Sequence, residues 1–357
     1  MAIMTCRYST LLILIKTIGS NSQNDNMINN KFNLGFFPTP LQELRKLSKK
    51  YPDYTIFIKR DDNTGLASGG NKTRKLEYLI KQALDEGCDT IITAGAQQSN
   101  HCRQTAAACS IAGLKCHLLL GGEKPEVYDG NLLLSSILGA NIHFTGKNRK
   151  GEDRVILKNK LEKEGNKCFV IPYGGSNFTG ALGFVNAVKE LKEQLMEQKL
   201  KIDYIFFASS SGGMQAGLTL GKEIYELNSE LIPISIDKDE TNGLSLEEVV
   251  FNIIKEGIKK LNINKNIQLS DIQLNRDYDK DGYGVVTNNE ISAIHELAKN
   301  EGILLDPVYT GRAFYGMLDF LEEKRIPANS NVLFWHTGGF PAIFKYSTEL
   351  KNNTFAR

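Results

Sequence analysis

Residues 202–213, IDYIFFASSSGG, decide the fold. An apolar run of strand length, closed by serines and glycines, reads as a β-strand buried on both faces. The polar loop then releases the chain into a helical segment. The same unit recurs outward in both directions. Residues 90–93 (TIIT) run into AGAQQSNH and an Ala-rich helix ending near Gly113, and residues 116–120 form the next strand. Residues 303–305 lead into DPVYTG and a helix, and residues 332–335 lead into HTGG. Strands alternating with helical patterns predict an α/β protein with open parallel sheets and helices on both faces. Ligands of such sheets bind at the carboxyl ends of strands, where all these polar loops fall.

The chain has 357 residues, 41% hydrophobic and 24% charged, with a net charge of +2. That is enough apolar material for a large core, which excludes disorder or a fibrous repeat as its main description. Without a basic stripe, no nucleic-acid partner is expected. The longest aliphatic run, residues 11–15, is far short of the roughly 20 apolar residues of a membrane helix, so no membrane partner is expected either. The five histidines and six cysteines form no H-E-x-x-H or C-x-x-C pattern, and no metal is expected. The cysteines read as reduced thiols, most of them small buried hydrophobes. Residues 1–35 read as an untethered tail, or as a basic, hydroxylated presequence. The corresponding locations are cytoplasmic, or mitochondrial if residues 1–30 are a presequence.

One helix is legible in detail. Leu76, Leu79, Ile80, Ala83 and Leu84 follow the spacing of a single buried face, with Asn71 as expected N-cap. Lys72 then sits at a helix N-terminus beside Gly69 and Gly70, an unfavourable place for a cation. From context alone it is either an amine set up to lose its proton or form an imine near an anion, or a solvated loop lysine. The loop 209–213 is either a phosphate cradle, with hydroxyls and backbone N–H groups at a helix N-terminus, or only a tight turn.

Two near-motifs fail. GLASGGNKT at residues 65–73 has Asn71 between the last glycine and Lys72, which breaks P-loop spacing, and the preceding FIKRDD reads as a poor buried strand. DYDKDG at residues 277–282 opens like a calcium loop but carries Asn288 where the bidentate glutamate belongs. A nicotinamide-dependent oxidoreductase would need the absent G-x-G-x-x-G fingerprint. A binding module without turnover remains as another class.

Taken in order, FIKRDD, SGGNKTRKLEYL, TAGAQQSNHCRQTAA, IPYGGSN, SSSGGMQAGL, DGYG, GILLDPVYTGRA and HTGG resemble the D-cysteine desulfhydrase and 1-aminocyclopropane-1-carboxylate deaminase family. These are pyridoxal-phosphate enzymes of the tryptophan synthase β-like fold, fold type II. The resemblance spans about residues 37–344. It implies pyridoxal 5'-phosphate as cofactor, a small amino-acid substrate and a homodimer. It also implies a larger cofactor domain (residues 36–74 plus 190–350) and a smaller inserted domain (residues 75–189).

By the same resemblance, Lys72 is the lysine that carries the cofactor as an imine, with Asn71 beside it. Asn100 contacts the cofactor's phenolic oxygen. Ser210, Ser211, Gly212, Gly213 and Met214 hold the phosphate, with Lys75 as a further contact. Ser99 is the active-site serine, Gln98 and His101 flank the substrate carboxylate, and Tyr283 and Tyr309 are active-site tyrosines. Met214 departs from the family, which usually has Thr there. Thr310 follows Tyr309 where deaminases carry Glu, and Thr337 stands where they tend to have Leu. Neutral hydroxyls at the ring nitrogen make a weaker electron sink, adequate for expelling a thiolate but poorly suited to opening a cyclopropane. These two residues therefore favour α,β-elimination of D-cysteine to pyruvate, hydrogen sulfide and ammonia. The alternatives are the cyclopropane acid, a related substrate such as L-cysteate, or two threonines that merely pack.

Overall fold

The computed structural model describes residues 22–237, 240–241 and 243–351. Two sheets organise them. The first has order β1-β2-β9-β7-β8, built from Leu41–Glu43, Tyr54–Arg60, Ser330–His336, Tyr204–Ser209 and Glu230–Ser235. Only the β1–β2 pairing is antiparallel. The second has order β5-β4-β3-β6, from Asn141–Phe144, Lys115–Gly121, Thr90–Ala96 and Cys168–Val170, all parallel. The expected α/β architecture of parallel sheets with helices is present.

Alternation along the strands explains the layers. Phe206 and Phe334 pack under helices Asn288–Glu301 and Thr310–Glu322. Their neighbours Phe207 and Trp335 face the opposite side, against helices Phe178–Glu197 and Gly213–Ile224. In the second sheet, Ile91 faces helices Lys72–Asp85 and Asn100–Ala112, and Ile92 faces helix Arg154–Lys163. The Phe178 helix lies so close to the Lys72 helix that a Cβ on Gly183 would come within 2.2 Å of the Arg74 carbonyl.

Three expectations are corrected. FIKR does lie in a buried strand, β2, because its charge is neutralised from far along the chain. Lys59 Nζ pairs with Glu190 and donates to Thr39 O at 2.7 Å and Gln194 Oε1 at 2.6 Å. Arg74 joins the same network through Asp61 (2.8 Å) and Glu190 (2.9 Å), and Trp335 Nε1 donates to Asp61 at 2.9 Å. This buried network ties the first turn of the Lys72 helix to the five-stranded sheet. Residues 303–305 are not a strand; among the described residues they pair with no neighbour, and they lead irregularly into the Thr310 helix. The tail does not extend to residue 35, since helix Ser22–Asn29 docks through buried Ile28, whose carbonyl accepts from Tyr78 Oη. The expected presequence falls mainly on residues 1–21, outside the described residues.

Cys88, Cys102, Cys109, Cys116 and Cys168 are free thiols, all buried. Among the described residues no helix is long and apolar enough to cross a membrane.

Candidate active site

The site lies where the loops after β3, β7 and β9 meet the N-termini of the Lys72, Asn100 and Gly213 helices. Its wall contains Asn71, Lys72, Lys75, Ser99, Asn100, His101, Tyr173, Gly174, residues 208–212, Met214, Gln215, Tyr309 and Thr337.

Lys72 is the first residue of its helix. Asn71 precedes it but does not cap, contrary to expectation; it has helical φ/ψ and its side chain is used elsewhere. Asn71 Oδ1 accepts from Lys72 Nζ at 3.1 Å and Nδ2 donates to Met214 Sδ at 3.5 Å. Capping is delegated to the neighbouring helix, where Gln104 Oε1 accepts from Thr73 N at 2.8 Å. Burial lowers the Lys72 pKa to about 8, against the opposing pull of the Asp306 carboxylate. An amine at that value is partly neutral near physiological pH, which a nucleophile or base requires.

Lys75 projects from the next turn and donates to Gly174 O (3.0 Å) and Ser176 Oγ (2.9 Å). Burial and the Lys72 charge push its pKa well down. Ser176 Oγ also accepts from Gly213 N at 3.1 Å and donates to Ser211 Oγ at 2.8 Å. Gly212 takes φ +82°, a left-handed turn that starts the helix, and a Cβ on Gly213 would come within 2.8 Å of Lys75 Nζ and Ser176 Oγ. A buried amine that a bound anion would hold protonated, hydroxyls and helix N-terminal donors around a glycine cradle have the composition of a phosphate site. No carboxylate pairs with Lys75 among the described residues. The fit to a phosphorylated aldehyde is therefore good: an anion belongs beside Lys75, and an amine waits at Lys72.

Ser99 caps the Asn100 helix, accepting from Cys102 N at 3.2 Å. Asn100 Oδ1 accepts from Asn131 at 2.9 Å, which leaves its Nδ2 donors for a ligand. His101 Nε2 lies 2.9 Å from Thr93 Oγ1, whose proton goes to Ile171 O at 3.0 Å. Nε2 must therefore carry the ring proton and Nδ1 a bare lone pair, which is buried without a partner. Burial, Lys72 and Lys75 keep the ring neutral. His101 can accept a hydrogen bond; it cannot act as a cationic carboxylate receptor.

Four expected residues stand outside the wall, of which Gly213 still touches the cradle through its N–H to Ser176 Oγ. Gln98 braces the loop instead, donating to Asp129 Oδ1 and accepting from Asn131 N, each at 2.9 Å. Tyr283 reaches the site through Tyr309, their hydroxyls 2.6 Å apart. Thr310 is buried against Asp306, its Oγ1 donating to Oδ2 at 2.7 Å. Asp306 Oδ1 also accepts from Val308 N (2.9 Å) and Tyr309 N (2.8 Å), and Oδ2 from Thr310 N (3.0 Å). Thr337 does line the wall, and its carbonyl accepts from Asn71 N at 3.0 Å. Sequence reasoning missed Asp306, Tyr173, Gly174 and Ser176. The last three lie within IPYGGSN, whose adjacent glycines were the available signal.

A family model described as pyridoxal-phosphate dependent enzyme matches residues 32–338. A D-cysteine desulfhydrase of Klebsiella pneumoniae (strain 342) is 41% identical over 323 residues, covering 88% of this chain and 95% of that protein. A crystal structure of an ACC deaminase homologue superposes with TM-score 0.83 at 35% identity, covering 93% of this chain and 99% of the other. Processed threonine deaminase isoform 2 of Solanum lycopersicum shares the fold at TM-score 0.64 and 18% identity, with 93% and 88% covered.

Proposed function

Because the chain belongs to the pyridoxal-phosphate-dependent enzyme family, we propose that it uses this cofactor to eliminate hydrogen sulfide from D-cysteine, leaving pyruvate and ammonia. The observation that carries this reading is the wall itself. Lys72 offers a buried amine of pKa about 8, and no Asp or Glu side chain lines the wall among the described residues. The hydroxyl of Thr337 is then the group offered to a ring nitrogen. That suits departure of a good leaving group better than cleavage of a cyclopropane.

Lys72 would hold the cofactor's aldehyde, and Lys75, Ser176 and residues 210–214 its phosphate. When bound, pyridoxal phosphate supplies an electron sink for the pair left at Cα. The chain supplies the rest. The N-terminus of the Asn100 helix receives the substrate carboxylate with backbone N–H groups. Lys72 Nζ takes the Cα proton. Tyr309, backed by Tyr283, gives a proton to the departing sulfur. Burial raises both phenols, so each holds its proton until it is used.

The reading extends to a homodimer located in the cytoplasm, or in mitochondria if residues 1–30 are a presequence. It also takes residues 36–74 plus 190–350 as the cofactor domain and 75–189 as the inserted one. The likeness to the ACC deaminase homologue favours a second substrate, the cyclopropane acid. One panel separates the two. Purified protein is given D-cysteine, L-cysteine, L-cysteate, β-chloro-D-alanine and 1-aminocyclopropane-1-carboxylate, and 2-oxo acid and sulfide are measured. D-cysteine should give pyruvate and sulfide in equal amounts, with little product from the cyclopropane acid. The reverse preference overturns the proposal.

A further inference from the structure

Arg149 lies in the loop after β5, at a distance along the chain from every segment that carries the site. Its backbone is pressed against the end of β4, where a Cβ on Gly121 would come within 2.4 Å of Arg149 Cβ. From this mount the guanidinium reaches across to the other sheet. Nη2 donates to Asp237 Oδ2 at 2.8 Å, in the loop after β8. Nη1 donates to Tyr173 Oη at 3.3 Å. The guanidinium carbon stands 4.6 Å from the centroid of the Tyr283 ring. Its neighbour Lys150 reinforces the crossing, reaching Asp237 Oδ2 at 3.5 Å and Glu240 O at 2.9 Å. Asp237 is 1% exposed, so this clasp is not a solvated surface pair.

We propose that Arg149 is a positioning residue for the proton donor: it clasps the two sheets together and holds Tyr283 in place behind Tyr309. The proposal rests on the elimination reaction put forward above. When the Cβ–S bond breaks, both electrons stay on sulfur and Tyr309 passes its proton there. Tyr283 passes its own proton across the 2.6 Å contact to Tyr309. The negative charge then rests on Tyr283, whose ring lies beneath a permanently charged guanidinium. Water returns the proton to Tyr283 after product leaves.

The leaving group provides a test that simple loss of packing would not pass. Chloride departs without a proton, whereas sulfide departure is helped by one. In Arg149→Gln, turnover of D-cysteine should fall roughly tenfold or more while turnover of β-chloro-D-alanine falls less than about threefold. Cofactor absorbance and affinity should stay at wild-type levels, which keeps this test separate from the assignment of the cofactor site. Wild-type release of sulfide from D-cysteine tests the reaction itself. Amide hydrogen exchange at residues 145–151 and 236–237 should speed up in Arg149→Gln. Arg149→Lys, which keeps the charge but not the planar face, should restore slow exchange and only part of the D-cysteine rate. Equal losses on both substrates, or no loss on either, overturn the proposal, as does unchanged exchange in Arg149→Gln.

Discussion

Asn71 spans the gap between Met214 and Lys72, donating its amide to the methionine sulfur at 3.5 Å while its carbonyl oxygen accepts from the lysine at 3.1 Å. Met214, where the family resemblance leads to the expectation of Thr, is therefore more than a lost hydroxyl. It steadies the residue that orients the reactive amine.

Replacing Met214 with Thr trades one role for the other. The hydroxyl adds a charge-assisted bond to the phosphate on the order of 1 kcal/mol, or about fivefold in cofactor affinity. Thr also leaves space where the 5%-exposed methionine packed. Cofactor titration should show tighter binding, and the cofactor-free protein should melt earlier. Unchanged affinity would mean that the loop does not hold phosphate.

Thr310→Glu should fail as a route to the cyclopropane substrate. Thr310 is fully buried and bonded to Asp306, so the new carboxylate would face the old one without a cation between them. A loss of about 3 kcal/mol or more in chemical denaturation is expected. Thr310→Val keeps the shape and removes two hydrogen bonds, to Asp306 Oδ2 and from Asp306 N, each at 2.7 Å, costing about 2 kcal/mol. Retained stability in the Glu variant would place Thr310 at the ligand after all.

Lys72 makes the cofactor-free protein pH-dependent with a definite sign. Its folded pKa of about 8 lies below the ordinary 10.5. The folded state is thus penalised while the amine is charged, and stability rises with pH from about 8 towards 10.5, where the unfolded chain still holds the proton. The full effect is on the order of 3 kcal/mol. Lys72→Met should lack this rise when its denaturation is compared with wild type across that range. The same variant should lose all turnover and the cofactor adduct trapped by borohydride.

Gly213→Ala separates folding from binding. The backbone there is not left-handed, so alanine adds no backbone strain and its helix preference, up to about 1 kcal/mol, offsets part of the cost of moving its neighbours. Its methyl, however, would sit 2.8 Å from Lys75 Nζ and Ser176 Oγ, inside the cradle. Unchanged or modestly lowered melting of the cofactor-free protein with at least about tenfold weaker cofactor binding is the expected pair of results.

Four of the nine described strands, β3, β4, β7 and β9, and the three site-forming helices were legible because strands of two-sided parallel sheets are continuous apolar runs and because polar loops mark their carboxyl ends. What escaped depended on partners remote in sequence. Lys59 made β2 look unfit for burial, yet Glu190 and Gln194 lie more than a hundred residues further on. Gln98 and Thr310 have the right chemistry beside the right motifs, but Asp129, Asn131 and Asp306 engage their side chains outside the wall. Residues 303–305 are apolar enough for a strand, but they pack beside β9 without backbone pairing, and the Leu304 carbonyl meets the His336 ring at 3.0 Å instead. Ser176 was hidden in a motif recognised as a unit, whose hydroxyl is placed only by the meeting of Lys75 and the Gly213 helix.

The buried thiols have a chemical consequence for a protein that releases sulfide. Cys102 lies one helical turn from Ser99, and burial pushes its thiol up to about 12. Cys88, Cys116 and Cys168 are also pushed up. A thiol and sulfide are at the same oxidation level and form no bond without an oxidant, and oxidants attack thiolates, a form that burial disfavours at all four. The described residues also hold no disulfide that sulfide could cleave. Among the described residues, then, sulfide leaving the pocket passes no cysteine in its wall and no disulfide it could reduce.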